Sequence, residues 1–64
     1  MGKETLLTIE EAADWLAISA PTLRRMIRRG EIPTIKISQR TVRLKLQDIL
    51  DYIEEHHERR KIDI

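Results

Sequence analysis

The chain contains no cysteine and no phenylalanine, and it has only two aromatic side chains, Trp15 and Tyr52, with two glycines and two prolines in 64 residues. Without cysteine there is no disulfide, no thiolate nucleophile and no cysteine-rich zinc site. Two aromatics are too few for the stacking platforms that bind RNA or single-stranded nucleic acid. No apolar run approaches the roughly 20 residues of a membrane span, and no signal peptide precedes the first structured stretch; a cytoplasmic protein without membrane contact is expected. A nucleophile–base–acid set and a phosphate loop are also missing. The adjacent His56 and His57 would point about 100° apart on a helix, with no distant ligand to complete a metal site. A chain of this length buries only about 60% of the surface its unfolded form exposes, which leaves little room for a catalytic pocket. No enzymatic activity, cofactor or small-molecule substrate is expected.

What the chain does have is charge, unevenly placed. Its net charge of +1 conceals two opposed regions. Between Pro21 and Lys45 lie eight basic residues (Arg24, Arg25, Arg28, Arg29, Lys36, Arg40, Arg43, Lys45) against one acid, Glu31, a balance of +7. The remainder has four basic residues against ten acids, a balance of −6. A domain divided in this way is a dipole whose basic third attracts a polyanion. At 41% hydrophobic and 36% charged, the composition is globular rather than disordered.

The pattern predicts three helices and a hairpin. Met1 to Leu7 is a lead-in that adds a strand or frays. Thr8 and Glu11 form a capping-box pair that opens a helix over 8–17, with Ile9, Ala12, Ala13 and Leu16 as its apolar stripe and Trp15 partly buried beside it. Ser19 caps a second helix over 20–29, with Pro21 in its first turn, Leu23, Met26 and Ile27 inward, and Gly30 at its end. Two short helices joined by so tight a link read as a helix-turn-helix. From Pro33 the period changes to two, predicting a hairpin over 33–45 that turns at Ser38-Gln39-Arg40. Its Ile35, Ile37, Val42 and Leu44 are expected on one face and its cations on the other. A third helix over 47–60 places Ile49, Leu50 and Ile53 inward, Tyr52 at their edge and Asp51, Glu54, Glu55 and Glu58 outward. The chain reads as one α+β domain over 1–64, with 1–6 and 61–64 as flexible ends.

The stretch TIEEAADWLAISAPTLRRMIRRGEIPTIKI, followed by TVRLKLQDILDYI, resembles the excisionase (recombination directionality factor) family of small winged helix-turn-helix proteins, related to the MerR-type DNA-binding domain. The likeness runs from about Leu7 to Ile53. It rests on Thr8 with Glu11-Ala12-Ala13, Ile18-Ser19, Thr22-Leu23, Ile27, Gly30-Glu31-Ile32-Pro33, Arg43 before an apolar residue, and Asp48-Ile49. The resemblance implies a winged helix-turn-helix whose second helix enters the major groove and whose hairpin is the wing. It further implies a protein that binds and bends mobile-element or phage DNA and directs a tyrosine-type integrase toward excision. Small phage- or plasmid-type transcriptional regulators share the fold and are the alternative. Three positions depart from the family pattern: Ala17 stands where glycine is frequent, the turn Ser38-Gln39-Arg40 lacks a glycine, and Thr41-Val42 stands where the wing often carries an aromatic.

Double-stranded DNA binding requires cations that displace condensed counterions and donors that reach base edges. The free N-terminal half of the second helix, with Ala20 and Pro21, offers Thr22 and Arg25 as base readers and Arg24 next to them. Arg28 is assigned to phosphates; for Arg29 a phosphate contact competes with complementation of the helix dipole. Ser19 is an N-cap at a helix end that can also receive a phosphate. On the hairpin, Lys36, Ser38, Gln39, Arg40 and Thr41 are candidate contacts, with Arg40 at the tip suited to the minor groove or a phosphate. Arg43 is either a DNA contact or the partner of an acid such as Asp48, and Lys45 is expected as a solvated strand-end charge. The acidic third helix against a neighbour's basic hairpin suggests head-to-tail self-association. From another class, a protein-interaction module would need an exposed apolar patch, for which the Ile62 and Ile64 tail is the sequence candidate.

Overall fold

The computed structural model describes residues 5–56. Its elements are β1 (Leu6–Leu7), α1 (Ile9–Leu16), α2 (Ala20–Arg28), β2 (Ile35–Lys36), β3 (Val42–Lys45) and α3 (Leu46–Glu55). Together they form an α+β winged helix-turn-helix. The lead-in forms a strand: β1 pairs with β3, and the Leu46 amide donates to the Thr5 carbonyl at 2.9 Å. Thr5 and Leu6 are therefore tied into the sheet, where a flexible end through residue 6 had been expected. Residues 1–4 and 57–64, including the expected flexible tail, His57, Glu58, Ile62 and Ile64, lie outside the described residues.

Both helices of the helix-turn-helix are stopped and started by local chemistry. At the start of α1 the Thr8 amide donates to Glu11 Oε1 at 2.9 Å and the Glu11 amide to Thr8 Oγ1 at 3.0 Å, the reciprocal capping box. At its end Ala17 is left-handed, with φ 59 and ψ 41. The Ile18 amide reaches back to the Ala13 carbonyl at 3.0 Å and the Ala17 amide to that of Asp14 at 3.1 Å. This closure satisfies the last carbonyls but forces a side chain into a conformation that suits glycine. Ser19 then caps α2, accepting from the Thr22 amide at 3.3 Å. Helix α2 closes in a similar way through Gly30, at φ 76, with the Glu31 amide on the Met26 carbonyl at 3.0 Å. No atom lies within 4 Å of where a Gly30 Cβ would stand, so glycine is needed for its backbone angle and not for space.

The core consists of Leu7, Ala12, Ala13, Leu23, Ile32, Leu44 and Ile49, with Ile9, Leu16, Ile18, Met26, Ile27, Leu46 and Tyr52 packed against it. Trp15, expected to be partly buried, is 51% exposed; at 100° per residue it lies about 110° from the centre of the α1 stripe. In α3 the inward row is Leu46, Ile49 and Tyr52, spaced by three. Leu50 and Ile53, expected inward, lie on its flank and are exposed. The helix begins one residue earlier than expected and is capped at His56, whose ring stacks on Tyr52 with centroids 4.0 Å apart; the last residues of the helix expected through 60 lie outside the described residues.

The hairpin differs most from expectation. The register pairs Ile35 with Arg43 and Lys36 with Val42. Side chains of directly opposed residues share a face, so Ile35 lies on the Arg43 side while Lys36 lies with Val42 and Leu44. The two strands are out of phase, and the hairpin does not divide into an apolar and a basic face. Its turn explains part of the shift. The amides of Ile37 and Ser38 both donate to the Thr41 carbonyl, at 2.8 and 3.2 Å, the two-against-one pattern of a β-bulge. Ile37 is consequently 54% exposed. The turn closes with the Thr41 amide on the Ser38 carbonyl at 3.3 Å, and none of its residues has a positive φ, so it has no need of glycine.

The two helix ends yield paired expectations. Replacing Ala17 with Gly relieves about 1 kcal/mol of left-handed strain and raises Tm by about 4–8 °C, whereas Gly30→Ala lowers stability by a similar amount. Ser19→Ala removes the α2 cap and costs about 1 kcal/mol. Thermal melts of the three variants check all three signs; a destabilised Ala17→Gly would contradict the strain assigned here.

Candidate nucleic-acid interface

The face of α2 turned to solvent follows from its buried side. With Leu23 buried and Met26 and Ile27 half-buried on the core, the helical repeat turns Pro21, Arg25 and Arg28 together to the outward face. Arg24, Arg25 and Arg28 are all exposed, and Ala20 and Thr22 are half-buried at the helix start. The Ser19 hydroxyl donates to Thr22 Oγ1 at 2.8 Å, which fixes the orientation of the Thr22 side chain at the edge of that outward arc.

Arg24 lies on the flank nearer the hairpin. There an open hollow of about 430 Å³ is lined by Thr8, Ile9 and Glu10 from the start of α1, Arg24 from α2, and Arg40, Val42 and Arg43 from the hairpin. Residues far apart in sequence thus place three arginines around one concavity. Arg24 Nη2 pairs with Glu10 Oε2 at 3.2 Å, both side chains being well exposed to solvent. Arg43 is half-buried, and its Nη1 donates to the Val42 carbonyl at 2.9 Å; of its two expected roles, the bridge to Asp48 is not formed.

Other expected contacts lie away from this hollow. Arg29 caps α2 at its C-terminus and pairs with Glu31 at 3.4 Å. Lys36 is exposed on the hairpin face opposite Arg43. Ser38 and Gln39 are exposed in the turn with Arg40, and Thr41 is half-buried at its end. Lys45, expected as a solvated charge, is half-buried at the junction of β3 and α3 and has an interaction partner. Glu10 is the residue that sequence reasoning missed: its partner is 14 positions away, and only its place in an exposed first turn marked it. On the far helix, Asp51, Glu54 and Glu55 are exposed. Exposed apolar side chains are Leu6, Trp15, Ile37, Leu50 and Ile53, so candidates for an apolar patch occur within the fold and not only in the tail. Among the described residues no helix is long and apolar enough to cross a membrane.

Comparison with known proteins agrees with this architecture. Residues 6–57 match the model of a helix-turn-helix domain. Uncharacterized proteins of Mycobacterium bovis and of two strains of Mycobacterium tuberculosis are each 43% identical over 53 residues, which cover 83% of this chain and 46% of theirs. The chain therefore spans about half the length of these curated relatives. No solved structure matches. With the match extending from β1 past the end of α3, the chain belongs to the helix-turn-helix domain family.

Proposed function

We propose that the protein binds double-stranded DNA in a sequence-specific manner, with α2 in the major groove and the hairpin as a wing on the adjacent backbone. The observation that carries this reading is the convergence of Arg24, Arg40 and Arg43 on one hollow next to the outward arc of α2. A helix-turn-helix uses its second helix in this way, N-terminal residues first. Thr22 and Arg25 are the base readers: arginine matches guanine O6 and N7, and the oriented Thr22 hydroxyl can meet a base edge. Ala20 and Pro21 allow close approach at the helix start, where Ser19 and the adjoining amides face a phosphate. Arg24, turned toward the hairpin, is reassigned from base to backbone, with Arg28 beside it. Arg29 joins them only by leaving Glu31, an exposed pair of small net value. Arg40 grips phosphate or the minor groove, flanked by Ser38, Gln39 and Thr41; Arg43 supports it, and Lys36 reaches backbone from the other face.

Within this reading the excisionase-like role is favoured: a non-enzymatic factor that bends mobile-element DNA for a tyrosine-type integrase. Its support is the resemblance in sequence together with the charge division, since the exposed acids of α3 complement the hairpin of a neighbouring copy. Bending a site by 40–90° costs on the order of 1–6 kcal/mol, which several copies bound head to tail can supply. A small transcriptional regulator uses the same contacts without the bend.

Three measurements test these roles. The logarithm of affinity should fall with the logarithm of salt at a slope of about −4 to −5, corresponding to roughly 4–6 phosphate contacts; a flat response favours a protein-interaction module. Arg25→Ala should relax sequence preference, at about 1–3 kcal/mol for the lost base pair contact, whereas Arg40→Ala should weaken all sequences alike. On phased tandem sites, bent DNA at saturation supports the architectural role, and straight DNA supports the regulator.

A further inference from the structure

We propose that the hollow between α1, α2 and the hairpin is a seat for one backbone phosphate of the duplex, and that Glu10 occupies it in the free protein as an internal counter-charge which the phosphate displaces. The inference rests on the DNA-binding reading and adds to it a residue that weakens binding.

The two adjacent acids at the start of α1 do different work. Glu11 is committed to the capping box through the Thr8 amide. Glu10 takes no part in that cap; its carboxylate turns to Arg24, at 3.2 Å, within the hollow that Arg40 and Arg43 also line. A carboxylate and a phosphodiester each carry one negative charge and present two acceptor oxygens to a guanidinium. Glu10 therefore satisfies Arg24 as a phosphate would. The side chains of Arg24 and Glu10 are 48% and 67% exposed, so the pair is solvated and exchanges at little cost. Arg43 spends one nitrogen on the Val42 carbonyl, and its other N–H groups remain available to an anion.

Two consequences follow from the exchange. When a phosphate replaces Glu10, the released carboxylate gathers a cation from solution, which offsets the counterion that the phosphate gives up. The Arg24 contact then contributes almost nothing to the salt dependence of binding. In a register that leaves the seat empty, the carboxylate stays close to the DNA and repels it, so Glu10 penalises misplaced binding more than correct binding.

The test is a titration of a fluorescent random-sequence duplex with wild type, Glu10→Gln, Arg24→Ala and the double variant, across a salt series. Glu10→Gln should bind about two- to fivefold more tightly at about 50 mM salt, with a salt slope steeper by about one. The gain should be clearly smaller when Arg24 is Ala, where only direct repulsion between the carboxylate and the DNA is left to remove. Asp14→Asn makes the same change of net charge one turn along α1 and should gain less than about twofold. Glu10→Ala, expected to behave as Glu10→Gln, guards against an effect particular to the amide, and melts of both variants check folding. Unchanged or weaker binding by the Glu10 variants overturns the proposal, as does an equal gain from Asp14→Asn or in the Arg24→Ala background. If no variant, including wild type, binds duplex DNA at low salt, the DNA-binding reading falls and this inference with it; if wild type binds and only the Glu10 effect is missing, the inference alone falls.

Discussion

Strand β3 is the part on which the rest of the molecule hangs. It is four residues long, the central strand of three, and hydrogen-bonded on both edges. Leu44, with no exposed surface, belongs to the same buried cluster as Leu7, Leu23 and Ile49, which brings the lead-in, the second helix and the third helix to one strand. A two-stranded ribbon alone is marginal in water. Pairing with β1 and burial of Leu44 are what hold the hairpin, and with it Arg40 and Arg43, at a fixed distance from α2. A folded unit this small has a thin margin of stability, so this cluster supports the whole arrangement of the basic surface.

The electrostatic picture is less simple than the charge totals. Positive charge is gathered in the middle of the chain, yet the structure ties Arg24 to Glu10 and Arg29 to Glu31 and divides Lys36 from Arg43 across the hairpin. The contiguous part is smaller: Arg24, Arg40 and Arg43 around a hollow, next to Arg25 and Arg28. Exposed ion pairs contribute little to stability. Their effect is on what a partner must displace: one carboxylate comes from the first turn of α1 and the other from just past the end of α2.

Features set by local chemistry are legible in the sequence. The capping box at Thr8 and Glu11, the Ser19 cap and the Gly30 stop each rest on neighbours within a few positions, and each formed. The ends of α1 and the end of α2 differ by one residue from the sequence reading because caps stand outside the helix they close. What the sequence did not disclose depends on pairing over distance. Alternation in 34–38 and in 41–45 looked like a single apolar face, but the phase between two strands is set by the turn, and a bulge at Ile37 and Ser38 is invisible to a count of apolar positions. Glu10 and Arg24 meet only because α1 and α2 pack together. Hydrophobicity alone places Leu50 and Ile53 inward, whereas the packing of α3 selects Leu46, Ile49 and Tyr52.

The bulge has a bearing on solubility. β2 is an outer strand with an isoleucine displayed at its end, and flat apolar edges of that kind recruit other chains into intermolecular sheets. Sharing of one carbonyl by two consecutive amides at Ile37 and Ser38 bends the strand and breaks its ladder after two residues. Lys36 lies immediately before the bend. The outer edge is thus short, interrupted and flanked by a charge, three features that work against pairing with another chain.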